Sequence, residues 1–185
     1  MSIDSKHRKS IRLVGYDYSM AGLYFVTICC QNRECLFGEI VGENMILSDG
    51  GKIANDCWLA IPKHFKNVVL HEYIIMPNHV HGIIEITPVD TGMNQHLPIE
   101  IINNVRADVD SPLRNKFKSP SKTIGSIIRG YKIGVTKWFH SNTEIDIVWQ
   151  RNYYEHIIRN VYSYQRISDY INYNPKNWKD DNFFC

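Results

Sequence analysis

The sequence predicts an α+β fold in which an antiparallel sheet carries helices against it. Three observations lead there. Short runs rich in β-branched and aromatic residues, LYFVTICCQ (23–31), VVLHEYIIM (68–76) and HVHGIIEI (79–86), read as strands. Two other segments, 48–64 and 121–139, repeat their apolar residues at helical spacing. The two periodicities also interleave, in the order strand, hairpin, helix, strand, strand, helix.

Taken in order, residues 1–20 are polar and basic, with Lys6, Arg8, Lys9 and Arg12, and read as an arm. After the first strand, LFGEIVGENMILS (36–48) reads as a hairpin turning near Gly42–Asn44. From Ser48 to His64 the apolar stripe is Ile53, Cys57, Trp58 and Ile61, and Pro62 disturbs the last turn. The strands 68–76 and 79–86 are separated only by Pro77 and Asn78, a tight reversal. Residues 87–120 mix Gly, Pro, Asn and scattered charge without a period and are expected to form a long exposed loop. Loops of that length are uncommon in compact domains and are often functional. The helix 121–139 carries Ile124, Ile127, Ile128, Tyr131 and Val135 as its stripe. A short strand near 147–149 then precedes NYYEHIIRN, and a last helix spans 161–173, ending before Pro175. The simplest arrangement of these elements is a split βαβ, ferredoxin-like core with its helices on one face.

The chain has 185 residues, 44% of them hydrophobic, which suits a single ordinary globular domain. A net charge of +2 excludes a polycation, so any nucleic-acid surface must come from local clustering of the 21 Lys and Arg. Cys29, Cys30, Cys35, Cys57 and Cys185 are odd in number and without repeated spacing, which does not read as a disulfide framework. The N-terminus lacks an apolar signal stretch, and no apolar run reaches transmembrane length. A cytoplasmic location, with no membrane partner, is the expectation.

Two residue pairs have chemical potential. His79 and His81 flank Val80 on a strand, so both imidazoles share one sheet face and together make half of a divalent metal site. Tyr170 and Asn174 are four apart and share one face of the last helix, where the Asn174 amide oxygen would complete such a site. The plainer alternatives stay open: His-x-His occurs without metal, and Tyr164, Ile167, Tyr170 and Ile171 also make a buried helical stripe. Basic residues cluster in the arm, along 114–137 (including Arg129, Lys132 and Lys137), and at Arg151, Arg159 and Arg166. Interleaved with aromatic residues, they suit phosphate contact and base stacking as well as they suit a solvated face.

Three motifs in one order carry a resemblance. MPNHVHGIIEI (76–86) resembles the HUH strand of single-tyrosine transposases, in which two histidines flank a bulky apolar residue. VWQRNYYEHIIRN (148–160), followed by SDYINYNP (168–175), looks like the C-terminal signature of the REP-associated tyrosine transposases, and GLYFVTICCQNRECLFGEI is similar to that family's opening. The resemblance implies a ferredoxin-like core bearing the tyrosine on an added C-terminal helix. It also implies that His79, His81 and Asn174 hold Mg2+ or Mn2+ and that Tyr170 is the nucleophile, with Tyr164 and Tyr173 as rivals on the same helix. The implied reaction is transesterification on single-stranded or hairpin DNA through a 5′-phosphotyrosine, by a monomer or a homodimer. Lys6, Arg8, Lys9, Arg12, Arg151 and Arg159 are the residues expected to contact that DNA.

Two alternatives compete. A replication initiator or relaxase shares the chemistry but is usually a larger chain. A non-catalytic ferredoxin-like nucleic-acid-binding module needs only exposed aromatics. Catalysis, by contrast, requires Tyr170 within reach of His79 and His81.

Overall fold

Antiparallel pairing organises the chain. In the computed structural model, which describes residues 20–88 and 123–184, four strands form one sheet: β1 (Gly22–Cys29), β4 (Val68–Met76), β5 (His79–Ile86) and β6 (Tyr154–Ile158). Their order is β4-β5-β1-β6, with every neighbouring pair antiparallel. Helix α1 (Asp49–Leu59) connects β1 towards β4, and α3 (Ile124–Asn142) precedes β6, so the split βαβ arrangement expected from the sequence is present. Strands β2 (Gly38–Val41) and β3 (Asn44–Leu47) make a separate ribbon. Its two-residue turn has positive φ at Gly42 (54°) and Glu43 (67°), the geometry whose twist matches flanking strands.

Alternation along β1 divides the molecule. Tyr24, Val26 and Ile28 face α1 and α3 and join the larger core, with Trp58, Tyr131 and Phe139. Leu23 and Phe25 face the other way and pack with Ile83, Ile167 and Ile171 under α4 (Val161–Tyr173). The helices expected on one face are α1 and α3, while α4 covers the opposite face. That placement decides where the site forms, because His79 and His81 pair with Cys29 and Thr27 and so share the α4 face. On the α1 side, a Cβ at Gly82 would lie 2.3 Å from Trp58 Cζ2, so only glycine lets the indole press against β5.

Several boundaries differ from expectation. The predicted helix 48–64 divides at Ala60 into α1 and a short α2 (Ile61–His64), because Pro62 cannot continue an existing hydrogen-bond ladder but suits a first turn. The strand expected at 147–149 reduces to a single bridge between Trp149 and Cys30, and the strand proper is β6, inside NYYEHIIRN. As an edge strand with Glu155 and His156 in it, β6 lacks the apolar run of a central strand. Cys29, Cys30 and Cys57 are free thiols, but Cys35 is disulfide-bonded. An odd cysteine count therefore argues against a framework without excluding a single bridge. The arm with Lys6, Arg8, Lys9 and Arg12, and nearly all of the expected 87–120 loop, lie outside the described residues. Among the described residues no helix is long and apolar enough to cross a membrane.

Candidate metal and tyrosine site

The site sits between the sheet and α4, at the end where β5 begins and β1 ends. His79 and His81 are both buried. Each ring is oriented by a neighbour that leaves Nε2 pointing inward. Asn78, in the β4–β5 reversal, donates through Nδ2 to the carbonyls of Arg33 (3.1 Å) and Phe183 (2.7 Å). Its Oδ1 therefore accepts from His79 Nδ1 at 2.8 Å, which leaves the lone pair on Nε2. Thr27 Oγ1 meets His81 Nδ1 at 2.9 Å from β1.

Helix α4 supplies the other groups. Asn160 caps its start, accepting from Ser163 N at 2.8 Å, and Ile167 and Ile171 anchor it to the sheet. Tyr170 and Asn174 then face the histidines, as their spacing requires. The Tyr170 hydroxyl lies 3.1 Å from His81 Nε2 and 3.4 Å from Asp181 Oδ2. Asn174 Nδ2 donates to the same Asp181 oxygen at 2.9 Å. Tyr164, one of the rivals for the nucleophile, instead bonds Glu72 and His71 (2.7 and 3.1 Å), and Tyr173 is exposed. Of the three tyrosines, it is Tyr170 that meets the histidines.

Sequence reasoning missed Asp181. One nitrogen of each histidine and one Asp181 oxygen lie within 4.8 Å of one another, a group able to hold a metal ion. The segment after α4 folds back to bring it there. Phe183 N donates to Asp181 Oδ1 at 2.7 Å, and Phe183 packs its ring 4.6 Å from that of His79. Arg33 secures the return, donating to Asn182 O at 2.9 Å with its guanidinium 5.7 Å over the Phe183 ring. Asp181 and Phe183 stand outside any periodic pattern; only the proximity of Asp180 and Asp181 to the Tyr-Asn pair hinted at them. Asn78, by contrast, lies inside the motif that drew attention to the histidines.

The site offers acceptors that a cation could satisfy. His79 Nε2 and Asn174 Oδ1 are buried, and neither has a hydrogen-bond partner among the described residues. Both are acceptors here, and two inward lone pairs left without a donor call for a positive charge. Nitrogen and oxygen donors of this kind suit a divalent cation. Burial pulls the His79 imidazole down to about 3 and His81 well below its usual value, so both are neutral, as ligands must be. Burial, and then the negative charge of Asp181, push the Tyr170 phenol up to about 12. Without a cation that phenol stays protonated.

No family model matches the chain. A Haemophilus influenzae protein, described as an uncharacterized protein, is 46% identical over 183 residues, covering 96% of this chain and 93% of its own. The chain belongs to that protein's family. A solved REP-associated tyrosine transposase, bound to a REP hairpin, superposes with a TM-score of 0.60 at 17% identity, over 92% of this chain and 74% of that one. The chain therefore shares the α+β fold of that REP-associated tyrosine transposase.

The basic residues divide. Arg151 is exposed and lines a groove beside α3, at the end of β6 that pairs with Thr27. Arg159 follows Ile158, which pairs with Leu23 at the far end of β1. At the rise of a strand, that is about 15 Å from the end where the histidines sit. Arg159 is thus not the near neighbour of the site that its place beside the C-terminal motifs suggested.

Proposed function

We propose that this protein cuts and rejoins DNA by metal-assisted transesterification, with Tyr170 as nucleophile. The observation that supports it most is the Tyr170 hydroxyl at 3.1 Å from His81 Nε2, beside His79 Nε2 and Asn174 Oδ1, which lack partners among the described residues. A binding module needs no such convergence.

His79, His81 and Asn174 would hold the cation, Mg2+ or Mn2+, and Asp181 adds a carboxylate to that set. A bound cation would polarise the scissile phosphate and favour the phenolate. The rest belongs to the side chains. Asp181 accepts the phenol proton, and Tyr170 Oη attacks phosphorus in line. A P–O bond to Tyr170 forms as the bond to the 3′ oxygen breaks, and that oxygen leaves as a 3′-hydroxyl once protonated. In the second step a 3′-hydroxyl attacks the phosphotyrosine, the bond to Tyr170 breaks, and the phenol regains a proton. One phosphodiester is exchanged for another, so no nucleotide cofactor is needed. Single-stranded or hairpin DNA is the expected substrate, because Tyr170 must reach an unpaired backbone.

The test is covalent capture. Wild type, incubated with a labelled hairpin carrying an unpaired flank and Mn2+ or Mg2+, should form an adduct that survives denaturing electrophoresis and maps to residues 167–175. Tyr170→Phe should bind the DNA with unchanged affinity and form none, whereas Tyr173→Phe should form it normally. The double His79→Ala/His81→Ala variant should fold and bind DNA yet form no adduct, since phosphate contacts dominate affinity. An adduct with Tyr170→Phe, or none with wild type, would remove this chemistry.

A further inference from the structure

The segment that follows α4 is tied to the turn after β1 at one place. Asn78 Nδ2 donates both to Arg33 O at 3.1 Å and to Phe183 O at 2.7 Å, so a single amide joins residues 33 and 183. Arg33 reaches across as well, to Asn182 O at 2.9 Å. Asn32 and Arg33 sit at φ 53° and 61°, a left-handed pair without glycine, which persists only where its surroundings fix it. For Arg33 those surroundings are residues 182 and 183.

A cysteine stands two residues beyond each tied point, Cys35 after Arg33 and Cys185 after Phe183. Two residues of extended chain reach about 7 Å, enough for side chains that start from carbonyls sharing one donor to meet. Cys35 is exposed and disulfide-bonded, whereas Cys29, Cys30 and Cys57 are free thiols. Of the five cysteines, that leaves Cys185 to pair with it. Burial raises the pKa of each free thiol, which keeps all three protonated and slow to exchange. An exposed disulfide, by contrast, is the kind that is readily reduced and re-formed.

The tied segment carries the groups that close over the histidines. The rings of Trp178 and Phe183 lie 6.0 and 4.6 Å from that of His79, and Phe183 is 5.9 Å from His81. Between them, Asp181 accepts from Asn174 Nδ2 at 2.9 Å and meets the Tyr170 hydroxyl.

We propose that Cys35 and Cys185 form a reversible disulfide, and that its redox state decides whether Asp181 is held beside His79, His81 and Tyr170. The bond and the strap it closes are independent of the function proposed above; only the effect on a metal rests on that reading. Closure uses a small-molecule disulfide such as oxidised glutathione. One thiolate of the pair attacks the oxidant's S–S bond, forming a mixed disulfide and releasing one thiol. The other thiolate then displaces the second thiol, so that two electrons pass to the oxidant. A dithiol runs the same steps backwards.

The first measurement maps the bond. Full-length protein treated with oxidised glutathione, then denatured, alkylated and digested, should give one cross-linked pair, Cys35 with Cys185, and alkylated Cys29, Cys30 and Cys57. Alkylation of all five, or a bond from Cys35 to another cysteine, would overturn the proposal. Reduction, or Cys185→Ser, should speed amide exchange over residues 181–184 at least about tenfold, with β1 and β5 as protected as before. Equal exchange in the oxidised and reduced proteins would overturn the strap. By calorimetry, Cys185→Ser should bind Mn2+ about tenfold more weakly than oxidised wild type, and Asp181→Asn should match that loss in the oxidised state. Equal Mn2+ affinity in oxidised wild type and Cys185→Ser would overturn the control of Asp181. No Mn2+ binding by any of the proteins, with the cross-link and the protection intact, would remove the metal and leave the disulfide strap standing.

Discussion

Three side chains decide whether the histidine pair becomes a site. Asn78 fixes the His79 tautomer, Asp181 brings negative charge, and Tyr170 faces both. The burial that keeps His79 neutral also has a cost that can be measured. An exposed imidazole titrates near 6.5, whereas His79 in the fold is held down to about 3. Between those values the unfolded chain takes up a proton that the folded chain refuses. Stability is therefore full above about pH 6.5 and falls as pH drops towards 3, by about 1.4 kcal/mol per unit from this residue. Urea midpoints measured in chelator from neutral pH to pH ~4 should decline less steeply for His79→Gln than for wild type. Parallel declines would mean that the wild-type ring is solvated.

At the scale of elements, the decisive fact is how α4 is held. A register shift in β4 between Leu70 and Tyr73 lets the consecutive residues His71 and Glu72 both reach α4. His71 bonds Tyr164 Oη and, at 2.9 Å, Glu85 Oε2, while Tyr164 donates to Glu72. This network clamps the first half of α4, and the apolar contacts of Ile167 and Ile171 hold the second. Tyr164 is thereby a positioning residue. Tyr164→Phe should cost about 1 kcal/mol in chemical denaturation, because it removes the hydroxyl that two half-buried partners share. At a temperature where the variant is folded, adduct formation should persist. Loss of the adduct with unchanged stability would return Tyr164 to the list of nucleophiles.

For the whole molecule, charge placement matters more than charge total. A net charge of +2 conceals a cation-lined groove and a basic arm. Neutralising Lys6, Arg8, Lys9 and Arg12 together should weaken DNA binding and lower its salt slope by up to about four if all four meet phosphates. A slope untouched by the arm variant would assign the arm to solubility alone.

What the sequence determined by itself is what local periodicity and short spacing carry. Runs of β-branched and aromatic residues located β1, β4 and β5, and the i, i+2 rule placed His79 and His81 on one face. The i, i+4 rule placed Tyr170 and Asn174 together on one helix, and turn chemistry located the hairpin at Gly42. The edge strand β6 was harder to read, because a half-solvated edge has no apolar run to mark it. Only the tertiary structure decided that α4 covers the histidine face rather than the α1 face. That choice depends on long-range contacts among Leu23, Phe25, Ile83, Ile167 and Ile171 that no local pattern encodes. The same holds for Asp181 and Phe183, which reach the histidines because the chain turns back after Asn174, and for Arg151 and Arg159, which basic clustering alone could not tell apart. A set of side chains drawn from distant parts of a chain is brought together by packing, and packing is a property of the folded whole.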